Sequence, residues 1–284
     1  MMKIFNVDSF VVKGNSHIRC EDYTTHFEKN AYQKGVVVCD GCSSAKNSDI
    51  GSMLLALLAK KVLTARGIDL VSLRYEGFIS EVLEWLNLAR SLVGVDEESL
   101  FSTLCVGYTY ELENKHFFRA FIYGDGVIFA RKKNTNEWRI WQINYASNAP
   151  FYPQYLQDKG ASYEIFLLGQ AHDPLKELIE TTETHQSRYP FNSPIDICLN
   201  LEEYDLVGVA SDGVESFTKG TSDTAIPAID VIKELTAFKN KTGQFMARRV
   251  LKALKAYQNA GYVPYDDVSI GVIVVDELKD EAVN

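Results

Sequence analysis

Clustered positive charge is what this chain of 284 residues most lacks. Lys and Arg number 29 against 38 Asp and Glu, a net charge of −9. No basic run offers the phosphate-neutralising surface that nucleic-acid binding needs. Long hydrophobic runs are missing too. No stretch approaches the ~20 apolar residues of a membrane span, and the opening Met-Met-Lys-Ile-Phe has no signal-peptide core. A cytoplasmic location is expected. The cysteines (Cys20, Cys39, Cys42, Cys105 and Cys198) are odd in number and scattered, which argues against a disulfide framework. Cys39 and Cys42 form a C-x-x-C, but Asp-Gly lies between them at the end of an apolar run, whereas a redox pair opens a helix. Buried or partly buried free thiols are expected.

What is present centres on Val36-Val37-Val38-Cys39-Asp40-Gly41, an apolar strand that runs into a carboxylate and a glycine. A glycine there lets the backbone approach a cation closely. The pattern recurs at Leu206 to Gly213, which ends in Asp212-Gly213, and in reverse at Asp266-Asp267 before the apolar run 268–275. Asp125 sits in Gly124-Asp125-Gly126 between two apolar segments. Asp-Gly is a common turn dipeptide, so a single one reads as a turn. Several strand-end acids, with no cluster of His or Cys, suggest an all-oxygen site for a hard cation, Mg²⁺ or Mn²⁺ rather than Zn²⁺.

Taken in order, a first strand is expected over 3–13, followed by a turn at Gly14-Asn15-Ser16 and an acidic pair, Glu21-Asp22. Helical spacing predicts helices over 49–66, with Ser48 as N-cap, and over 75–92, with Phe78, Val82, Leu83, Leu86 and Leu92 facing the core. A strand meander follows over 102–111, 116–123, 127–132 and 138–143. Residues 145–200 carry five prolines and read as a long surface connection with one short helix over 173–181. Further helices are expected over 228–238 and 243–260, then the strand 268–275 and a polar tail. Antiparallel strands with helices in separate blocks point to an α+β fold in which antiparallel sheets are sandwiched between helices. One domain spanning 1–284 is expected.

Carboxylates need an electrophile to hydrolyse esters. Two divalent cations held ~3.5–4 Å apart would activate a bridging water and neutralise a phosphomonoester. Such a site calls for Asp ligands, the Gly41 carbonyl and a cationic side chain to hold phosphate. The sequence contains neither Cys-x5-Arg nor Asp-x-Asp, which excludes the usual covalent phosphatase routes.

In six places and in matching order, the chain resembles the metal-dependent type 2C protein phosphatases, bacterial branch. The places are Gly14-Asn15-Ser16-His17 through Glu21-Asp22, Val38-Cys39-Asp40-Gly41, Phe101-Ser102-Thr103-Leu104, Tyr123-Gly124-Asp125-Gly126, Ala210-Ser211-Asp212-Gly213 and Asp266-Asp267-Val268-Ser269. The resemblance implies a four-layer α/β/β/α sandwich. It also implies that Asp40 bridges two metal ions, Mg²⁺ or Mn²⁺, with Gly41 giving its carbonyl to one. Asp212 and Asp266 would complete the other, and Glu21 and Asp22 would act through metal-bound waters. Asp125 would belong to a more variable third position, where Ser216 stands in place of a further Asp. Asp266 is preferred to Asp267, which falls where the family usually has Asn.

The family's phosphate-gripping Arg is replaced by His17. Arg19 lies two residues on, on the same face if the segment is an extended strand. A phosphate-binding His would tighten its grip as pH falls through ~6.5. The implied activity is dephosphorylation of a phosphoprotein from a Ser/Thr kinase pathway. A pseudophosphatase that binds without turnover and a small-molecule phosphatase are the alternatives.

Overall fold

Strand meanders alternate with helix pairs along the chain. The computed structural model describes residues 3–145, 149–157, 160–169, 175–180, 185–219 and 225–277. Strands β1 (Lys3–Val12), β2 (Tyr23–Glu28) and β3 (Lys34–Cys39) lead into helices α1 (Ser48–Thr64) and α2 (Tyr75–Val93). The meander is β4 (Leu104–Leu112), β5 (Lys115–Tyr123), β6 (Gly126–Lys132) and β7 (Trp138–Tyr145). Next come α3 (Ala161–Gly169), β8 (Leu175–Glu180), β9 (His185–Pro190), β10 (Ile195–Asn200) and β11 (Tyr204–Ala210). The chain closes with β12 (Phe217–Lys219), α4 (Ala228–Leu235), α5 (Phe245–Asn259), β13 (Tyr262–Pro264) and β14 (Val268–Glu277).

Two large antiparallel sheets result, and β12 and β13 form a separate two-stranded pair. One large sheet has seven strands in the order β1-β14-β11-β6-β7-β8-β9, the other five in the order β10-β5-β4-β3-β2. The valines of β3 show why the layers stack as they do. Val36 and Val38 enter the core between the sheets, whereas Val37 and Cys39 face the opposite way into a core shared with Leu55, Leu63, Phe78 and Val82 of α1 and α2. The period of two along a strand sends alternate residues to opposite faces, and here both faces are apolar because both are covered. The seven-stranded sheet repeats the arrangement. Val207 and Val209 point inward, while Leu206 and Ala210 meet Val231 and Leu235 of α4 and Val250 of α5. Each large aliphatic side chain so buried contributes about 1.5–3 kcal/mol. The fold is α+β in four layers, α/β/β/α, as expected.

Asp8 of β1 ties the outer layer to the sheet. Its Oδ2 accepts from the Met246 amide at 2.7 Å, capping the start of α5 from another element. Ser48 does not cap α1. Asn47 precedes the helix in a left-handed conformation, and no side chain caps it. Leu92 lies 80% exposed on the last turn of α2, not in the core.

The region 145–200 differs most from expectation. Residues 175–180 form strand β8 rather than a helix (173, 174 and 181 lie outside the described residues), and β8 pairs with β7 and β9. The Lys-Glu-Leu-Ile-Glu run has adequate helix propensity, but pairing to the β7 edge overrides it. The cysteines are free thiols as expected, although Cys198 is exposed rather than buried.

Candidate active site

The strand-end acids converge at one end of the two sheets. β3 delivers Asp40, which hydrogen bonds hold against the Phe101–Thr103 segment. The Asp40 amide donates to Thr103 Oγ1 at 3.1 Å and the Thr103 amide to the Asp40 carbonyl at 2.8 Å. β11 delivers Asp212, the turn before β6 delivers Asp125, and Asp266 stands two residues ahead of β14. Asp40, Asp125, Asp212 and Asp266 are all partly buried. Glycine is needed here for packing. A Cβ on Gly41 would lie 2.7 Å from the carbonyl oxygens of both Glu21 and Ser48, and one on Gly213 would lie 1.7 Å from that of Asp267.

Asp22, just before β2, is buried beneath this group. Its Oδ2 accepts from Ser211 Oγ at 2.8 Å and from Ser269 Oγ at 2.6 Å, while its Oδ1 has no donor. Burial pushes its carboxyl up to about 8, and the two hydroxyls oppose that shift. Burial, then the charges on Asp22, Asp212 and Asp125, push Asp40 well above the usual carboxylate range. Asp125 is raised by burial and by Asp212, and Asp212 by burial and by Asp266. Together they are a set of hard oxygen ligands short of positive charge.

Among the described residues, no three His, Cys, Asp or Glu side chains close around a single point as a finished ligand set. The acids nonetheless fit a hard divalent cation. All their donors are oxygens, and Asp22 Oδ1 and Asp212 Oδ1 lack hydrogen-bond partners. Burial and the neighbouring charges raise Asp40, Asp125 and Asp212, so a divalent cation among them would be met by carboxylates already drawn together.

Asp267 has a structural task instead. It accepts from the Gly14 amide at 2.6 Å and the Glu21 amide at 2.5 Å, fixing the segment that carries the acidic pair. His17 lies over it, with Nδ1 3.0 Å from Asp267 Oδ2 and Nε2 3.4 Å from Asp266 Oδ1. Burial opposes the imidazolium, but Asp267 and Asp266 prevail and the His17 pKa is raised. Arg19 points elsewhere, with Nε 3.4 Å from Asp49 and 3.7 Å from Glu21. The segment bends instead of extending as a strand, and His17 and Arg19 engage different aspartates while both approach Glu21. Both cations line a shallow cavity with Glu21 and Ser43, and carboxylates already engage each of them.

A family model described as "Protein phosphatase 2C" matches residues 13–255. The chain belongs to the protein phosphatase 2C family. Among similar solved structures, a bacterial serine phosphatase bearing a single point mutation is 16% identical, with a TM-score of 0.59 over 96% of this chain and 99% of the other. The serine/threonine phosphatase Stp1 of Staphylococcus aureus is 15% identical, with a TM-score of 0.57 over 96% of each chain. The phosphatase and partial regulatory domain of SpoIIE from Bacillus subtilis, also 15% identical, matches at 0.53 over 98% of this chain and 65% of that one. At these identities the likeness is one of fold. No curated protein sequence matches the chain.

Within this phosphatase 2C fold, Asp40, Asp22, Asp125, Asp212 and Asp266 form one electrostatic group. Glu21 lies beside His17 at its edge, with Oε2 4.0 Å from Nδ1. Sequence reasoning gave no role to Ser211, Ser269 or Thr103, which orient the acids. Their signal lay in the same motifs, a Ser before Asp212-Gly213 and another two residues after Asp267.

Proposed function

We propose that this single-domain chain is a cytoplasmic, metal-dependent protein serine/threonine phosphatase that acts on phosphoproteins from a kinase pathway. The observation that carries this reading is the convergence of Asp40, Asp212, Asp266 and Asp125, partly buried, mutually repelling and oxygen-only, above a buried Asp22. Asp40, Asp212 and Asp266, with the Gly41 carbonyl, would hold two Mg²⁺ or Mn²⁺ ions. Bound there, such ions supply an activated water and neutralise phosphate charge.

The chain's own groups do the rest. Ser211 and Ser269 hold Asp22 so that Oδ1 stays free of a donor, available to orient a water or take its proton. Asp267 holds the backbone of Glu21 against the cluster. Arg19, 44% exposed, can turn from Asp49 to a phosphate oxygen at little cost, because exposed ion pairs are weak.

One observation favours a second reading, a phosphoprotein binder without turnover. His17 is clamped between two aspartates, so the residue at the family's arginine position offers little free charge. Phosphate release from a phosphothreonine peptide in Mn²⁺ tests both readings. Turnover that EDTA stops and Asp40→Asn abolishes supports the phosphatase. Peptide binding without phosphate release selects the binder.

A further inference from the structure

Beside the segments that hold Asp40 lies a cleft of about 510 Å³ lined chiefly by Cys42, Phe101, Tyr152, Tyr155, Ile165 and Phe166. Its walls are aromatic and preorganised. Phe101 stacks on Tyr152 at 5.7 Å and 6°, and Tyr155 packs on Phe101 at 5.0 Å and on Phe166 at 5.1 Å. Phe101, Tyr155 and Phe166 are anchored in the core, at 6%, 7% and 7% exposure. Ile165, on the same α3 segment as Phe166, is 69% exposed at the rim. Rigid aromatic walls of this size are typical of ligand-binding clefts.

The cleft adjoins the site through the backbone. Gly41 bridges to Ser102, and the Cys42 amide donates to the Phe101 carbonyl at 2.9 Å. Two of its walls are therefore next-door residues to Gly41 and Ser102, in the paired segments that hold Asp40. Burial, the neighbouring Cys42 and the charges of Asp125 and Asp40 all raise the Tyr152 hydroxyl, which lines the cleft. The one charged side chain among its described lining residues is Glu98, so an acidic occupant meets repulsion and an apolar one does not.

From this we infer that the cleft receives a large apolar side chain, aromatic by preference, one or two residues from the phosphorylated residue of a peptide substrate. The inference rests on the phosphatase reading and adds a specificity to it. One residue of extended peptide spans ~3.3–3.6 Å, so a side chain within two residues of the phosphate reaches the adjoining wall. Burying it in a preformed apolar slot discriminates by tens of fold, the range typical of hydrophobic specificity pockets.

The test uses the full chain in Mn²⁺ and phosphothreonine peptides carrying Phe, Ala or Glu at each of the two positions on either side. At one position or more, kcat/KM for Phe is expected to exceed that for Ala by at least tenfold, with Glu lowest. Ile165→Glu, at an exposed position on the cleft rim, is expected to erase most of the preference for Phe over Ala. Equal rates for Phe and Ala at all four positions, or a preference that Ile165→Glu leaves unchanged, would overturn the assignment. If no peptide is hydrolysed, the phosphatase reading fails instead. Fluorescence polarisation of the same labelled peptides then reads the cleft directly, with tighter binding of the Phe peptide expected and equal binding contradicting it.

Discussion

Replacing Asp22 by asparagine removes a buried ionisable carboxyl from the acid group without removing its hydrogen bonds. The asparagine Oδ1 can take the place of the oxygen that accepts from Ser211 and Ser269, and its amide falls where Asp22 Oδ1 has no donor. In metal-free protein, burial raises the Asp22 carboxyl from 3.8 to about 8. The folded state therefore keeps a proton that the unfolded state releases, and stability drains away as pH rises through that window. At ~1.4 kcal/mol per unit, the wild-type chain gives up about 4 kcal/mol by pH 7, which asparagine does not. For a chain of this length that is a gain of roughly 7 °C in Tm for Asp22→Asn in EDTA. The gain should shrink towards pH 4 and reverse in Mn²⁺, where wild type is stabilised by mass action and the variant less so. Thermal unfolding in EDTA and in Mn²⁺, from pH 4 to 8, measures both. A variant no more stable than wild type in EDTA at pH 7 would refute the claim that burial makes the Asp22 carboxylate costly in the metal-free protein.

Other outcomes follow from single contacts. Gly213→Ala puts a Cβ 1.7 Å from the Asp267 carbonyl oxygen; a loss of ~3 kcal/mol or more in urea unfolding, with loss of Mn²⁺ affinity, is expected from such a backbone clash. Asp8→Ala removes the cap on α5, with an expected cost of ~1–2 kcal/mol and amide exchange that rises first at Met246. Lys176 is buried, and burial pulls its ammonium from 10.5 to about 7 despite the charge of Asp125. Folding therefore releases a proton between those values, and stability rises with pH from 7 to 10.5. Lys176→Met should flatten that rise, a difference of about 4–5 kcal/mol at pH 7 in denaturant titrations.

Much of the site is legible because strand ends advertise themselves. An apolar run that stops at Asp-Gly locates Asp40 and Asp212, and the unbroken apolar run of β3 foretells a strand covered on both faces. Three-dimensional contacts that leave no local mark are harder to see. The roles of Asp266 and Asp267 diverge only because Gly14 and Glu21, far away in sequence, donate their amides to Asp267. Strand β8 has a helical composition and becomes a strand because the β7 edge is free to pair with it. The bend that carries His17 over Asp267 is held by the Asn15 and Ser16 amides, which donate to the Pro264 and Tyr265 carbonyls, a tertiary constraint invisible in Gly-Asn-Ser-His.

The central claim, that these acids are a divalent-cation centre, is tested most directly by titrating Mn²⁺ into the metal-free protein by calorimetry, with Asp40→Asn alongside. Two ions are expected to bind the wild-type chain, with proton release as the raised carboxyls ionise, and the variant is expected to lose at least one of them. No binding by the wild-type chain, or an isotherm that Asp40→Asn leaves unchanged, would contradict it.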